Sequence, residues 1–341
     1  MYRKKIVKIL FVILCVMAVA VVAVILFFQT PPFGRLPRGE RLERIRRSPN
    51  FRDGEFRNQE PTSLMTSEKG RWEAMLDFVF KKSPEGLRPE HPVPSVKTDL
   101  RALDPYREFL VWFGHSSYLL QMGGKRILVD PVFCSAAPVS FLNKPFPGTD
   151  IYSPEDMPDI DYLVITHDHW DHLDYGTVTQ LKGRVRKVVC PLGVGEHFEY
   201  WGYEPERLVE LDWNETAVPD SGFTVHCLPA RHFSGRGLRS NRTLWASFLV
   251  EVAGRKVYIG GDGGYGAHYA GIGERFPGDR SGRVGERAVQ RRLALYPHVA
   301  QIPACGSRSL GGQTGAHGAS FQIRVGTPPL GRTVGERPKA C

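Results

Sequence analysis

Three histidines and two aspartates fall within six consecutive positions of this chain, residues 167–172. They follow the apolar residues 162–165, and such a run is typical of a strand that ends at a sheet edge. Neutral imidazoles and carboxylates bind Zn²⁺, and also Fe or Mn. The spacing His-x-His-x-Asp-His therefore predicts a metal site. The alternative is a polar loop with surface histidines, which does not explain so dense a spacing.

Two later strand ends carry further candidate ligands. Residues 223–228 are predicted to form a strand, and His232 lies shortly after it. Residues 256–260 are predicted to form another strand, followed by a glycine-rich exit that contains Asp262. Neither residue alone would predict a ligand, but next to the first motif both become candidates.

Three more polar residues have two interpretations each. Asp130 either initiates a turn before a proline or lies near the metal site. His115, in a polar turn, either lines the floor of the site and contacts substrate or is a buried, hydrogen-bonded turn residue. Arg231, next to His232, either faces a phosphate of the substrate or belongs to a solvated loop.

Short apolar runs separated by glycine-containing turns dominate the middle of the chain and predict an α/β sandwich. A domain over residues 101–278 is expected. Its strands are predicted at residues 108–113, 118–122, 126–129, 162–165, 223–228, 244–252 and 256–260.

The N-terminal region predicts a membrane anchor. An uncharged run of 20 residues, 9–28, follows Arg3, Lys4 and Lys5, and about 20 apolar residues are needed to cross a bilayer as a helix. A cleaved signal peptide would have a shorter apolar core. We expect an uncleaved, single-pass anchor over residues 1–30. The side of the membrane stays ambiguous, although the basic residues after the run favour a cytoplasmic domain.

Residues 31–100 are rich in Pro, Arg and Glu and are predicted to be a linker or a strap, with one short helix over residues 72–80. The formal charge of +9 is concentrated in residues 35–57 and after residue 278. A basic stretch beside an anchor favours an anionic lipid surface, and no nucleic-acid-binding motif accompanies it. The six cysteines form no CxxC pair, so they indicate neither a disulfide framework nor a thiolate zinc site. The sequence leaves the oligomeric state open.

Five stretches, residues 112–117, 127–133, 166–174, 230–236 and 258–265, resemble the metallo-β-lactamase-fold hydrolases. The resemblance is strongest to the bacterial relatives of N-acylphosphatidylethanolamine-hydrolysing phospholipase D. It covers roughly residues 70–278. It implies an αββα sandwich with two bound metal ions, expected to be Zn²⁺, with Fe or Mn as alternatives. It also implies a phospholipid or other phosphodiester as substrate.

The resemblance also implies a role for individual residues. His167, His169 and His232 would hold one ion, whereas Asp171, His172 and a bridging Asp262 would hold the other. A last histidine near the C-terminus would complete the second site. Asp171 would also accept a proton during catalysis, and Asp174 would orient a ligand imidazole.

The resemblance stops at residue 278. Residues 279–341 are rich in Gly and Arg, so we expect a disordered tail that lacks the C-terminal strands and helix of the family. Codons can be chosen for residues 279–300, for residues 310–325 and for the segment from residue 330. Reading these codons one base later gives sequences with the apolar strand and the histidine-containing segments that the family carries here. We therefore hypothesise a frameshift near Gly278. Within the tail, His298 and His317 are the substitutes for the missing ligand.

Three functions follow. The first is a membrane-anchored, binuclear phosphodiesterase of the phospholipase D type. The second is a lactonase or other ester hydrolase of the same fold. The third is an inactive, truncated homologue that binds one metal ion or a lipid surface.

Overall fold

The computed structural model describes residues 2–62, 76, 89–140 and 143–277. The helix predicted over residues 72–80 lies outside the described residues except for Leu76, which is helical. The predictions for residues 279–341, including His298 and His317, also lie outside them.

The chain begins with helix α1, Tyr2–Phe28, which is followed by α2, Gly39–Arg47. Strands β1, Phe51–Arg52, and β2, Glu55–Phe56, then form a small hairpin. Within α1, the stretch Lys4–Phe28 has a mean hydropathy of 3.5 and is long and apolar enough to cross a membrane. An anchor and a signal sequence both have this property.

A six-stranded sheet carries the first half of the predicted site. Its strands, in spatial order, are β3, Phe109–Gly114; β4, Ser117–Met122; β5, Lys125–Val129; β6, Ile160–Val164; β7, Val185–Pro191; and β8, Leu208–Leu211. The first three are antiparallel, and the last four run parallel. Because parallel strands end at the same edge, the residues after β5 and β6 meet there.

A second, antiparallel sheet contributes the later residues. It contains β9, Thr216–Asp220; β10, Phe223–Leu228; β11, Ser247–Val252; and β12, Arg255–Ile259. The inner faces of the two sheets bury a shared core, in which the rings of Tyr162 and Phe223 stack with centroids 3.6 Å apart. Alternate residues of β10 face this core, as expected for strands covered on one face.

Helices cover the outer faces of both sheets. On the first sheet, α3, Tyr175–Leu181, and α4, Gly195–Tyr200, bury Val178 and Phe198 against strand residues. On the second, α5, His268–Arg275, places the Tyr269 ring 6.4 Å from the Tyr258 ring. The order of layers is helix, sheet, sheet, helix, which is the arrangement predicted from the sequence.

Residues 29–62, called here the N-terminal arm, are packed onto this sandwich. Ile45 of α2 and Phe56 of β2 are fully buried in the core between the sheets. Arg41 donates to Glu210 at 2.7 Å and to the buried Glu196 at 2.7 Å. The arm is therefore a structural part of the domain.

Candidate metal centre

Asp130, directly after β5, organises the motif that follows β6. Its side chain is fully buried and accepts hydrogen bonds from Thr166 N at 2.8 Å, Thr166 Oγ1 at 2.7 Å and His172 Nδ1 at 2.8 Å. Its φ of 41° lies in the left-handed region, which aspartate tolerates better than most residues. Because Nδ1 of His172 donates to Asp130, Nε2 is the nitrogen free to bind a metal.

The hydroxyl of Thr166 links Asp130 to a second imidazole, that of His167. Its hydroxyl donates to Asp130, so it accepts from His167 Nδ1, which lies 3.0 Å away. Nε2 of His167 is thereby left as an acceptor on the opposite side of the ring. One buried carboxylate thus fixes the tautomers of two histidines.

The first cluster consists of His167, His169 and His232. His169 Nδ1 lies 3.0 Å from His167 Nε2 and 3.2 Å from His232 Nε2. Burial lowers the pKa of His167 well below its usual value and lowers that of His232 to about 3, with neighbouring histidines adding to the effect. Neutral imidazoles that converge at this spacing are suited to a cation.

The second cluster consists of His115, Asp171 and His172. His115 Nε2 lies 3.2 Å from His172 Nε2 and 3.2 Å from Asp171 Oδ2. Burial alone would lower the pKa of His172, but the carboxylates of Asp130 and Asp262 raise it to about 10. The negative potential at the His172 imidazole favours a positive charge there, whether a proton or a metal ion.

Asp262, after β12, lies between the clusters. Its Oδ2 is 3.4 Å from His172 Nε2 and 3.8 Å from His232 Nε2. Its Oδ1 is buried and has no hydrogen-bond partner among the described residues. A buried carboxylate oxygen without a donor usually has an unrecorded partner, such as an ion.

The donor spacing can be tested against metal geometry. A tetrahedral ion with nitrogen ligands at roughly 2.0–2.1 Å has its ligand atoms about 3.3–3.4 Å apart. Two of the three separations in each cluster are 3.0–3.2 Å, and all ligand atoms of a cluster lie within 4.8 Å of one another. The residues present therefore fit two divalent metal ions, one in each cluster, with Asp262 in reach of both.

All six residues predicted as metal ligands come together, although only the motif residues are close in sequence. They form overlapping groups whose ligand atoms lie within 4.8 Å of one another. His115 joins them and contacts Asp171 and His172 directly.

Asp174 contacts backbone groups near the start of α3, and its predicted role beside a ligand imidazole stays a prediction. It caps α3 by accepting from Gly176 N at 3.0 Å, and it accepts from Cys134 N at 2.7 Å. The carboxylate that holds a ligand imidazole is Asp130, whose position after a strand and before a proline also suited a simple turn.

The two arginines beside His232 have different partners. Arg231 donates to Thr62 Oγ1 at 2.9 Å and to the Tyr265 carbonyl at 2.8 Å, so its role in substrate binding stays a prediction. Arg236 is buried, donates to the Asp168 carbonyl at 2.9 Å and stacks on Trp170 at 4.0 Å. Arg236 therefore stabilises the loop after β6 that contains Asp168 and Trp170.

Asp168 and His197 support the motif, a function that the sequence did not reveal. The buried Asp168 accepts from Gly235 N at 2.7 Å and lies 3.3 Å from His197 Nε2. The backbone N–H of Arg35 donates to His197 Nδ1 at 3.1 Å. The only local signal was a carboxylate between two candidate ligands.

Comparison with known proteins shows what this chain is similar to. Residues 125–278 match the family described as Beta-lactamase superfamily domain. An uncharacterized protein of Mycobacterium tuberculosis is 41% identical over 231 residues, which cover 66% of this chain and 61% of that protein. The N-acyl-phosphatidylethanolamine-hydrolyzing phospholipase D 1 of Caenorhabditis elegans is 34% identical over 172 residues, or 46% of this chain and 47% of that enzyme. Among solved structures, the metallo hydrolase Igni18 of Ignicoccus hospitalis has a TM-score of 0.38 and 23% identity, covering 50% of this chain and 66% of that one.

The match over residues 125–278 and the similarity to the phospholipase D relative confirm the resemblance inferred from the sequence motifs. The mixed α/β fold agrees with this match. The chain spans about three fifths of the length of the M. tuberculosis relative.

Proposed function

We propose that this protein is a membrane-anchored, metal-dependent phosphodiesterase with two metal ions in its active site. The observation that carries the proposal is the pair of clusters joined by Asp262. One of its oxygens is near both clusters, and the other is buried without a hydrogen-bond partner among the described residues. In phosphoryl-transfer enzymes, paired metal sites accommodate both the attacking and the leaving oxygen.

In this proposal the first ion would be held by His167, His169 and His232. The second would be held by Asp171 and His172, and Asp262 lies within reach of both. When bound, the ions supply Lewis acidity that lowers the pKa of a water molecule and polarises the group under attack. Zn²⁺ suits this mixed imidazole and carboxylate set, and Fe and Mn accept the same donors.

Asp171 is the residue proposed to move a proton. Its side chain is 37% exposed, in contrast to the buried Asp130, so it can exchange protons with solvent. The oxygen of water bonds to phosphorus while one ester P–O bond breaks. The electron pair of that bond stays on the departing alcohol oxygen, which takes a proton from solvent. The proton released by water passes to the carboxylate of Asp171.

A phospholipid of the N-acylated phosphatidylethanolamine type is the proposed substrate. The contacts of the arm support it, because a chain of aromatic rings leads from the end of α1 to the motif. The Phe28 and Phe33 centroids are 5.0 Å apart, and Phe33 lies 5.0 Å from Trp170. If α1 crosses the bilayer, the metal centre lies next to the point where the chain leaves it. The name of the C. elegans relative gives the same substrate class for that enzyme.

Two alternatives remain in competition with this proposal. A lactonase or ester hydrolase could use the same metal centre on a carbonyl carbon. A non-catalytic homologue would bind metal or lipid without turnover. The proposed frameshift near Gly278 bears on the last alternative, and sequencing the coding DNA across this codon tests it. A stop codon or unrelated residues in the next frame would reject the frameshift.

The discriminating experiment assays the full chain in detergent and in vesicles after loading with Zn²⁺, Fe²⁺ or Mn²⁺. The substrates are bis-p-nitrophenyl phosphate, vesicles containing N-acylated phosphatidylethanolamine, a lactone and p-nitrophenyl acetate. We expect phosphodiester turnover that a chelator abolishes and added metal restores. Turnover of only the lactone or acetate would favour the second function, and metal binding without any turnover the third.

A further inference from the structure

His115 is held in the turn between β3 and β4 by an unusual backbone. Its φ is 44°, and Gly114 before it has a φ of 108°. A side chain at Gly114 would clash, because its Cβ would lie 2.9 Å from Thr149 Cβ. The carbonyl of His115 accepts from Trp112 Nε1 at 2.9 Å. The backbone of this turn is thus fixed in a conformation that non-glycine residues seldom adopt.

The imidazole of His115 ends between two proposed ligands of the second ion. Its Nε2 is 3.2 Å from both His172 Nε2 and Asp171 Oδ2. These separations match those between His169 and its two partners in the first cluster. A residue that contacts only substrate needs no such equal spacing to two ligand atoms.

We propose that His115 is itself a ligand of the second metal ion, an inference that rests on the proposed two-metal function. The second ion then has four protein donors: His115, Asp171, His172 and Asp262. Four protein donors would hold the ion, and water could join as a fifth ligand because such sites can expand to five-coordinate. No residue beyond position 277 is needed to complete it, in contrast to the expectation of a last histidine near the C-terminus.

The test compares His115→Gln with His115→Glu in the full chain. Both side chains reach about as far as Nε2 of histidine, and both bear the same strain at a positive φ. Glutamate offers a carboxylate ligand, whereas a neutral amide is a much poorer one. His226→Gln is the matched control, since His226 contacts Thr216 and Glu251 on the second sheet.

Bound Zn²⁺ is measured by elemental analysis after dialysis against a competing chelator of known affinity. We expect two equivalents in the wild type, in His226→Gln and in His115→Glu. In His115→Gln the affinity for the second ion should fall at least about tenfold, since even an outer partner of a ligand contributes that much. Unfolding midpoints of the two His115 variants check that they share one fold.

Two outcomes overturn the His115 proposal alone. The first is wild-type affinity for the second ion in His115→Gln. The second is loss of that ion from both variants, which would assign the residue a structural role. A wild type that holds a single equivalent would overturn the two-metal function together with the His115 ligand.

Discussion

The two clusters of candidate ligands lie side by side but are supported by different parts of the molecule. In the first cluster, the backbone of His232 is bracketed by Asn58 of the N-terminal arm, which accepts from His232 N at 3.1 Å and donates to His232 O at 2.7 Å. In the second, His172 is held by Asp130, and both Asp130 and His115 belong to the first sheet and its turns. The arm supports one half of the site, and the sheet supports the other.

The clusters also differ in access to solvent. His115 and Asp171 have side chains 37% exposed, whereas that of His232 is 13% exposed. Because the second cluster is more open to solvent, we expect its ion to exchange more readily and the first ion to be retained more firmly.

The largest effect should come from removing a ligand that no other residue can replace. In His169→Ala the first cluster loses the imidazole that contacts both of its partners. Lewis-acid stabilisation is worth several kcal/mol, so kcat/KM for bis-p-nitrophenyl phosphate should fall about a thousandfold. Steady-state kinetics after metal loading measure this change.

His226→Ala is the control for that experiment, because it removes a histidine from the second sheet outside both clusters. A His169→Ala protein with more than a tenth of wild-type activity would remove the first cluster from the catalytic machinery. It would also contradict the assignment of one metal ion to each cluster.

The second largest effect is expected from Asp130→Asn, which should weaken the second cluster, supported by the first sheet, more than the first cluster, supported by the N-terminal arm. In Asp130→Asn the amide turns a donor toward Thr166 Oγ1 or His172 Nδ1, which themselves donate. Leaving such buried groups unpaired should lower the free energy of unfolding by about 3 kcal/mol. Affinity for the second ion should fall about 10–100-fold. Chemical denaturation and metal titration measure the two changes.

Asp53→Asn is a matched control, since Asp53 also has a positive φ, 53°, but is exposed. If Asp130→Asn weakened the first ion more than the second, the assignment of Asp130 to the second cluster would fail. The contact of Thr166 with His167 allows a smaller loss at the first ion.

Asn58→Ala should have the opposite selectivity and weaken binding of the first ion but not of the second. In Asn58→Ala the His232 backbone and Trp245 Nε1 lose a shared partner, so unfolding should become easier by about 1–2 kcal/mol. Affinity for the first ion should fall about tenfold, with the second ion unchanged. Asn50→Ala is the control, because Asn50 donates to Asp212 instead. Equal weakening of both ions by Asn58→Ala would contradict the division between arm and sheet.

Local sequence patterns predicted the candidate ligands better than they predicted the contacts of the N-terminal arm. The spacing of the motif, with His232 and Asp262 at strand exits, was enough to name six candidate ligands that the structure brings together, because strand ends meet at one edge. The arm was predicted only as a linker or strap, since the contact between Asn58 and His232 joins residues 174 positions apart and has no local signature. His115 was visible as a polar turn residue, but its role depended on the φ that the turn imposes.

The smallest effect concerns the link between the arm and the membrane. In Phe33→Ala the aromatic contact with Trp170 is lost, which should cost about 1 kcal/mol, equivalent to a severalfold change in a rate constant. Because Phe33 also contacts Phe28 of α1, we expect turnover of lipid in vesicles to fall severalfold while turnover of soluble bis-p-nitrophenyl phosphate changes little. Phe51→Ala is the control, since its ring packs on Phe56. Equal losses on both substrates would mean that the arm stabilises the metal centre but does not position it at the bilayer.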